Sequence, residues 1–533
     1  MRIRNHLLVV ASIVLSAGAV GGCSAASQRY SGMGTGHVTD RANANATSPV
    51  NSGNVPINLA SLSPTGIPTT TDKKQVFTEI WNLFNENYPN FEMKGVDWST
   101  ERIKYESKAI DAGTWPQFFS VVNTMIHDLD DSHCYLIGAP SPTTYTPLIL
   151  TAWCNGQVVV MWSYDSSKVP VGSVVTSVDG AAVSTRLSRP DFSSGYIEGA
   201  GQEALMTDSN HPEQLSFRLP SSHQTRTATV PVYPLNGSAV AGLKHIAKSA
   251  WAVRPGATYG DPIAKGDLSF RVAYLGNDIL YVYIPAMEPP DNTQGGEALA
   301  SEFQHVLQLA LHSKGMVIDI RGNSGGDMWP ALWFARHLYS GIERPTEVRF
   351  RTSEYVQLPS QLTDGTQRIA LKASETQASA GFTKWGVTQI SPLAPKLNIP
   401  VALLTDGWNV SAAENFTVFM KSASNVSTFG SVTGGSDGSP QTFPVMKGVE
   451  VSISTWQERV MATGLPIEGF GLHPDHPIYM SDAQVTEEMI RSQQGNPRQT
   501  MDHDSVLQAA QAWVEQQVKN GRIEEMRASA SEF

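Results

Sequence analysis

Cysteine is nearly missing from this chain, with three in 533 residues. Cys23 directly follows an N-terminal leader, where it reads as a lipidation site, so only Cys134 and Cys154 remain, and a bridge between them and a buried free thiol both stay open. No His/Cys cluster completes a closed metal site; His473, Asp475 and His476 offer ligand types, but the prolines around them make a turn. Positive charge is also short, with 38 Lys and Arg against 49 Asp and Glu, a formal net charge of −11. A nucleic-acid partner therefore gains no electrostatic support. Nor does the N-terminal apolar run, Leu7 to Val20, reach a spanning length: it stops at 14 residues.

What that run does fit is an export signal, since Arg2 and Arg4 precede it and Val20-Gly21-Gly22-Cys23 follows. Small residues before a cysteine resemble the bacterial lipobox, which implies cleavage to leave Cys23 as a lipidated N-terminus. The expectation is an exported cell-envelope lipoprotein, membrane-bound through that lipid anchor. Ser24 rather than aspartate after the cysteine points to the outer membrane where the source has two.

The rest of the chain divides by pattern. Residues 1–22 are the signal and 23–70 a Ser/Gly/Asn/Thr-rich tether. Residues 71–138 form a helical domain, with Val76, Phe77, Ile80, Trp81 and Phe84 on one face and Phe118, Val122, Met125, Ile126 and Leu129 on another. Between 139 and 240 the period becomes two, and VPVGSVVTSVDGAAV resembles part of a PDZ domain. Residues 241–485 alternate strand and helix, the pattern of an α/β layer around a largely parallel sheet. Within them, 340–399 carries little pattern and reads as an insertion. A helical segment, 486–533, ends the sequence, with Ser505 to Val518 as its helix.

The chemistry gathers around IPVALLTDGWNVSAAENF. A buried strand and an Asp-Gly turn deliver Ser411 to the start of a helix, where unpaired amides and the helix dipole favour negative charge. Serine there is either an N-cap or a nucleophile whose oxyanion meets ready donors. Three distant clusters supply the remaining parts. LDDSHCYL offers Ser132 and His133, a base that titrates near neutrality. VIDIRGNSGGD runs a strand into a turn whose glycines let backbone amides approach a substrate. GLPIEGFGLHPD carries Glu468, otherwise a plain loop carboxylate.

The ordered set LDDSH, DIRGNSGG, NVSAAENF, TGG and IEGFGLHPD resembles the tail-specific (C-terminal-processing) serine peptidases and the catalytic core of tricorn protease, over about residues 72 to 520. The resemblance implies an α/β fold with a ClpP/crotonase-like catalytic core, an N-terminal helical domain and a PDZ-like β-rich module. It implies Ser411 as nucleophile, with the amide of Ala412 and that of Gly325 or Gly326 as oxyanion donors. One branch of the family takes a lysine base about 25 residues after the serine, where this chain has Ser436. The tricorn-like branch takes a histidine preceded by serine and assisted by a glutamate, which implies His133, Ser132 and Glu468. A peptide or protein is then the substrate, with no metal or organic cofactor.

Two other readings stay open. Gly322-Asn323-Ser324-Gly325-Gly326 fits the nucleophile elbow of α/β-hydrolases, which would make the chain an esterase using Ser324 with His473 or His503. A non-hydrolytic lipoprotein of the same fold, binding apolar ligands or peptides, is the third. The sequons at Asn409 and Asn425 are incidental in either case.

Overall fold

A computed structural model describes residues 59–531, apart from 155–156, 188–195, 199–203, 221, 223, 236–258, 267, 292–295, 352–380 and 479–503. The leader with Cys23 and the tether up to residue 58 lie outside the described residues, as does His503.

Three helices open the described chain: Thr70–Asn87, Trp98–Ile110 and Trp115–His127. Each begins at a side chain that accepts backbone N–H groups: Thr69 in a reciprocal capping box with Asp72, then Asp97, then Thr114 ahead of Pro116. Their apolar faces do not close on one another alone. Val76, Phe77, Phe84, Trp115, Phe118 and Met125 share a core with Phe443, Met446, Val451 and Ile453 of a distant hairpin, Pro440–Met446 and Val449–Ser454. Tyr135–Ile137 adds a third strand, pairing antiparallel with Val449–Ser454. That pairing ties the chain just after His133 to a segment more than 300 residues downstream, which brings LDDSH to the catalytic layer.

The central sheet has seven strands in the order Asp261–Pro262, Arg271–Tyr274, Ile279–Tyr283, Gly315–Asp319, Val401–Thr405, Val426–Gly430, His476–Pro477. The first two pairings are antiparallel, and every later pairing is parallel. The inner strands read as unbroken apolar runs because both faces are covered. Leu280, Val282, Met316, Ile318, Val401 and Leu403 face helices Gly296–Ala310, Met328–Ala335 and Ala412–Lys421. Tyr281, Val317, Ala402 and Leu404 face the other way, onto Val506, Leu507 and Val514 of helix Ser505–Ser531 and Val159 and Met161 of the middle sheet. That middle sheet is antiparallel and seven-stranded, within Ile149–Val230.

Arg321 of the DIRGN motif has a structural task. Its guanidinium bridges Asp319 (2.6 Å) and Asp504 (2.7 Å), and all three side chains are buried. Asp504 also accepts the amides of Val506 and Leu507, so one ion cluster clamps the last helix to the central sheet.

Two expectations need correction. The stretch 340–399 is not patternless: Thr346–Phe350 and Gly386–Val387 join Trp456–Val460 in a three-stranded antiparallel sheet. The ClpP/crotonase-like core is also not what the chain builds. Its α/β layer is completed by helical and β-rich regions, because the hairpin 440–454 leaves the central sheet to share the core of the helical front.

Candidate active site

Ser411 stands where strand Val401–Thr405 has turned into helix Ala412–Lys421, at φ 57° and ψ −129°. A non-glycine residue at positive φ is strained by about 1–3 kcal/mol, and its surroundings must hold it there. Asn409 and Asp406 do so. The Asn409 amide donates to the carbonyls of Ile320 (2.5 Å) and Asn323 (3.1 Å), and its oxygen accepts the Asp406 N–H at 2.8 Å. Asp406 in turn accepts the Gly322 N–H. The serine turn is thereby stapled to the glycine turn. Ser411 Oγ makes no capping bond to its own helix, so the simple N-cap role is not the one it plays.

The glycine turn lies directly against the serine. At Gly325, φ is 99°, and a Cβ there would stand 2.8 Å from Ser411 Cβ and 3.0 Å from the Ala412 nitrogen. At Gly326, φ is 131°, and a Cβ there would stand 2.1 Å from the Met287 carbonyl oxygen. The Gly325 N–H is already given to Asn323 Oδ1 at 2.8 Å. Those of Gly326 and Ala412 have no acceptor among the described residues.

The segment TGGSD joins these parts. Ser411 N–H donates to the Ser436 carbonyl at 2.7 Å. The Ser436 hydroxyl lies 3.1 Å from His133 Nδ1 and 2.6 Å from Ser132 Oγ. Its amide, with that of Gly435, donates to Glu414, which also accepts the Thr433 hydroxyl. Among the described residues, the ring hydrogen bond of His133 runs to Ser436, and none joins it to Ser411 Oγ. Asp131 Oδ1 accepts the His133 backbone N–H at 2.9 Å and lies 3.9 Å from Nδ1. Burial pulls the imidazole below its ordinary value, and Asp131 partly opposes that.

Glu468 is close by but bonded elsewhere. One oxygen meets Lys94 Nζ at 2.6 Å, and the other accepts the Asp437 N–H at 2.8 Å. Burial pushes its carboxyl up to about 8, with Asp131 adding and Lys94 opposing. Beneath it the Asn415 amide donates to both Asp437 and Glu458, which burial also raises. In the sequence Ser436 marks only the place of an absent lysine, Asp131 is one member of LDDSH with no role of its own, and nothing singles out Lys94 or this buried acid group. Its one available signal was the density of Asp and Glu in otherwise apolar motifs.

The other candidates fare differently. Ser324 and His473 are exposed, and no hydrogen bond links them among the described residues. Asp475 is taken by Lys421 and Thr428. Cys134 is a buried free thiol.

Residues 278–478 match Peptidase family S41, and residues 69–127 match the Tricorn protease C1 domain. Over residues 278–478, which include Ser411, the chain is similar to the S41 peptidases. It is a serine-type peptidase with the activity class of the tail-specific proteases. No curated protein matches its sequence. Among solved structures it is similar to mature CPAF complexed with lactacystin, at 15% identity and a TM-score of 0.60, covering 85% of this chain and 99% of that one. Mature CPAF alone gives 15% and 0.60, over 82% of this chain and 99% of that one. This likeness overturns the ClpP/crotonase-like core: the fold is an α/β one related to the tricorn, S41 and CPAF peptidases, with helical and β-rich regions built in.

Proposed function

We propose that this serine-type peptidase cleaves peptide bonds through an acyl-enzyme on Ser411, with His133 as general base. The observation that carries the reading is the strained turn that presents Ser411 at a helix N-terminus, its amide bonded to Ser436 and the Ser436 hydroxyl bonded to His133. With Nδ1 engaged, Nε2 is the nitrogen left to take the serine proton, and such pairs tighten as substrate binds. The tetrahedral oxygen then meets the Ala412 and Gly326 amides at the positive end of the helix. Collapse of the intermediate passes the proton from His133 to the leaving amine, and water repeats the sequence on the ester.

A fluorophosphonate probe followed by peptide mass mapping tests this. Label on Ser411, lost in Ser411→Ala and greatly slowed in His133→Ala, is the expected result. Label on Ser324 instead overturns it in favour of the elbow reading. We further propose that the protein is an exported lipoprotein held by Cys23, on the strength of the basic start, apolar run and small residues before that cysteine. Radiolabelled fatty acid should enter the protein, and persistence of label in Cys23→Ala would refute the anchor.

A further inference from the structure

We propose that Ser436 is the positioning residue for the catalytic imidazole: its hydroxyl accepts the Nδ1 proton of His133 and so fixes the Nε2 lone pair as the base. The inference rests on the Ser411/His133 reading and adds a role that neither cluster carries by itself.

Two proton arrangements fit the heavy atoms. In the first, His133 Nδ1–H donates to Ser436 Oγ and the Ser436 hydroxyl donates to Ser132, across 3.1 and 2.6 Å. In the second, both donations reverse, Ser436 gives its proton to Nδ1, and the neutral ring carries hydrogen on Nε2. Only the first leaves Nε2 able to accept the Ser411 proton. The surroundings select it, because Asp131 Oδ1 lies 3.9 Å from Nδ1 and its negative potential favours a proton on that side. The pair thus divides the work of an aspartate in a Ser-His-Asp triad, with Ser436 supplying the hydrogen-bond acceptor and Asp131 the charge. Glu468 is placed for neither task, since Lys94 and the Asp437 amide take its two oxygens.

The hydroxyl is set by its backbone. The Ser436 N–H is held by Glu414 at 2.9 Å, and its carbonyl receives the Ser411 N–H at 2.7 Å. Those bonds survive removal of Oγ, so Ser436→Ala keeps the loop where it is. What it loses is the acceptor for Nδ1–H. Losing an acceptor destabilises the imidazolium, so the acid limb of kcat/KM should move to lower pH.

The test measures kcat, KM and the pH profile of Ser436→Ala on a fluorogenic peptide, beside Ser411→Ala and His133→Ala. The expected result is a fall in kcat of about 10- to 100-fold with KM within about threefold, and an acid limb displaced downward. Unchanged kcat, or a loss with the limb in place, overturns the positioning role. The unsubstituted protein gives a second measurement: 15N NMR of imidazole-labelled protein, with His133→Ala for assignment, should place the proton of the neutral ring on Nδ1. A proton on Nε2 overturns the inference whatever the variant does. If Ser411→Ala itself stays active, the parent reading has failed. If Ser411→Ala is inactive and Ser436→Ala is indistinguishable from the unsubstituted enzyme, only this inference has.

Discussion

Lys94 and Glu468 meet at 2.6 Å with side-chain exposures of 9% and 1%, and Lys94 also donates to the Asp130 carbonyl at 2.7 Å. The pair therefore pins the LDDSH loop to the IEGFG loop across the floor of the site. A buried ion pair gains little over an apolar replacement, but removing one partner strands the other charge. Above about pH 8, where Glu468 is ionised, Glu468→Gln should accordingly lower unfolding free energy by about 3–5 kcal/mol in denaturant titration. Lys94→Met combined with Glu468→Gln should recover much of that loss. Well below its midpoint, Glu468→Gln should still retain more activity than His133→Ala. Equal losses of activity would assign Glu468 to proton transfer.

Ser411→Ala should reduce peptide hydrolysis by roughly 10³-fold or more while thermal unfolding stays near that of the parent, because no other group forms the acyl-enzyme. Ser324→Ala should stay within about threefold, as expected for an exposed side chain with no histidine bonded to it among the described residues. Steady-state kinetics on one peptide decide between them, and the opposite pattern restores the elbow.

The motifs were legible because each is a short contiguous segment whose composition contradicts its role as plain loop or core. Strand Val401–Thr405 and the helix after it could be read from apolar runs and a turn. Thr346–Phe350 could not: five residues are too short a run to stand out, and the strand it pairs with along its whole length, Trp456–Val460, lies more than 100 residues away. The hairpin 440–454 escaped for a related reason: its partners are the front helices. The task of Ser436 was not legible at all. A serine is unremarkable in sequence, and its importance comes from four hydrogen bonds to Ser132, His133, Ser411 and Glu414 that only the fold assembles. Burial of Lys94, Asp437 and Glu458 is likewise a tertiary fact, since charged residues are exposed by default.

Gly325→Ala tests the approach of the glycine turn to the nucleophile. The new methyl would meet Ser411 Cβ at 2.8 Å and the Ala412 nitrogen at 3.0 Å, at a φ of 99° that L residues avoid. Serine and oxyanion donor must both shift, so kcat should fall by about 100-fold or more. Gly180→Ala, also at positive φ but with open space around it, controls for backbone strain and should leave kcat within about threefold. Comparable losses in both would remove the steric argument.

Stability should fall as pH rises from about 4.5 to 8. Burial raises Glu414 to about 7 and Glu468 to about 8, and it raises Asp437 and Glu458 as well. Glu213, Glu288 and Glu302, each at about 7, act in the same direction. In this window the folded chain holds protons that the unfolded chain has released, so the slope of unfolding free energy with pH is negative. His133 and His337, both lowered by burial, oppose it below about 6.5, where the unfolded chain binds the extra proton. The carboxyls outnumber them, and Glu414 alone contributes roughly 3 kcal/mol across its range. The melting temperature should therefore drop by about 5 °C or more between pH 5 and pH 8. Asp437→Asn should flatten the slope, because an amide N–H takes the place of the acid proton facing Glu458. A melting temperature that climbs over this interval would show that the acid group stays ionised in the folded chain, with Asn415, Thr433 and the loop amides carrying the charge.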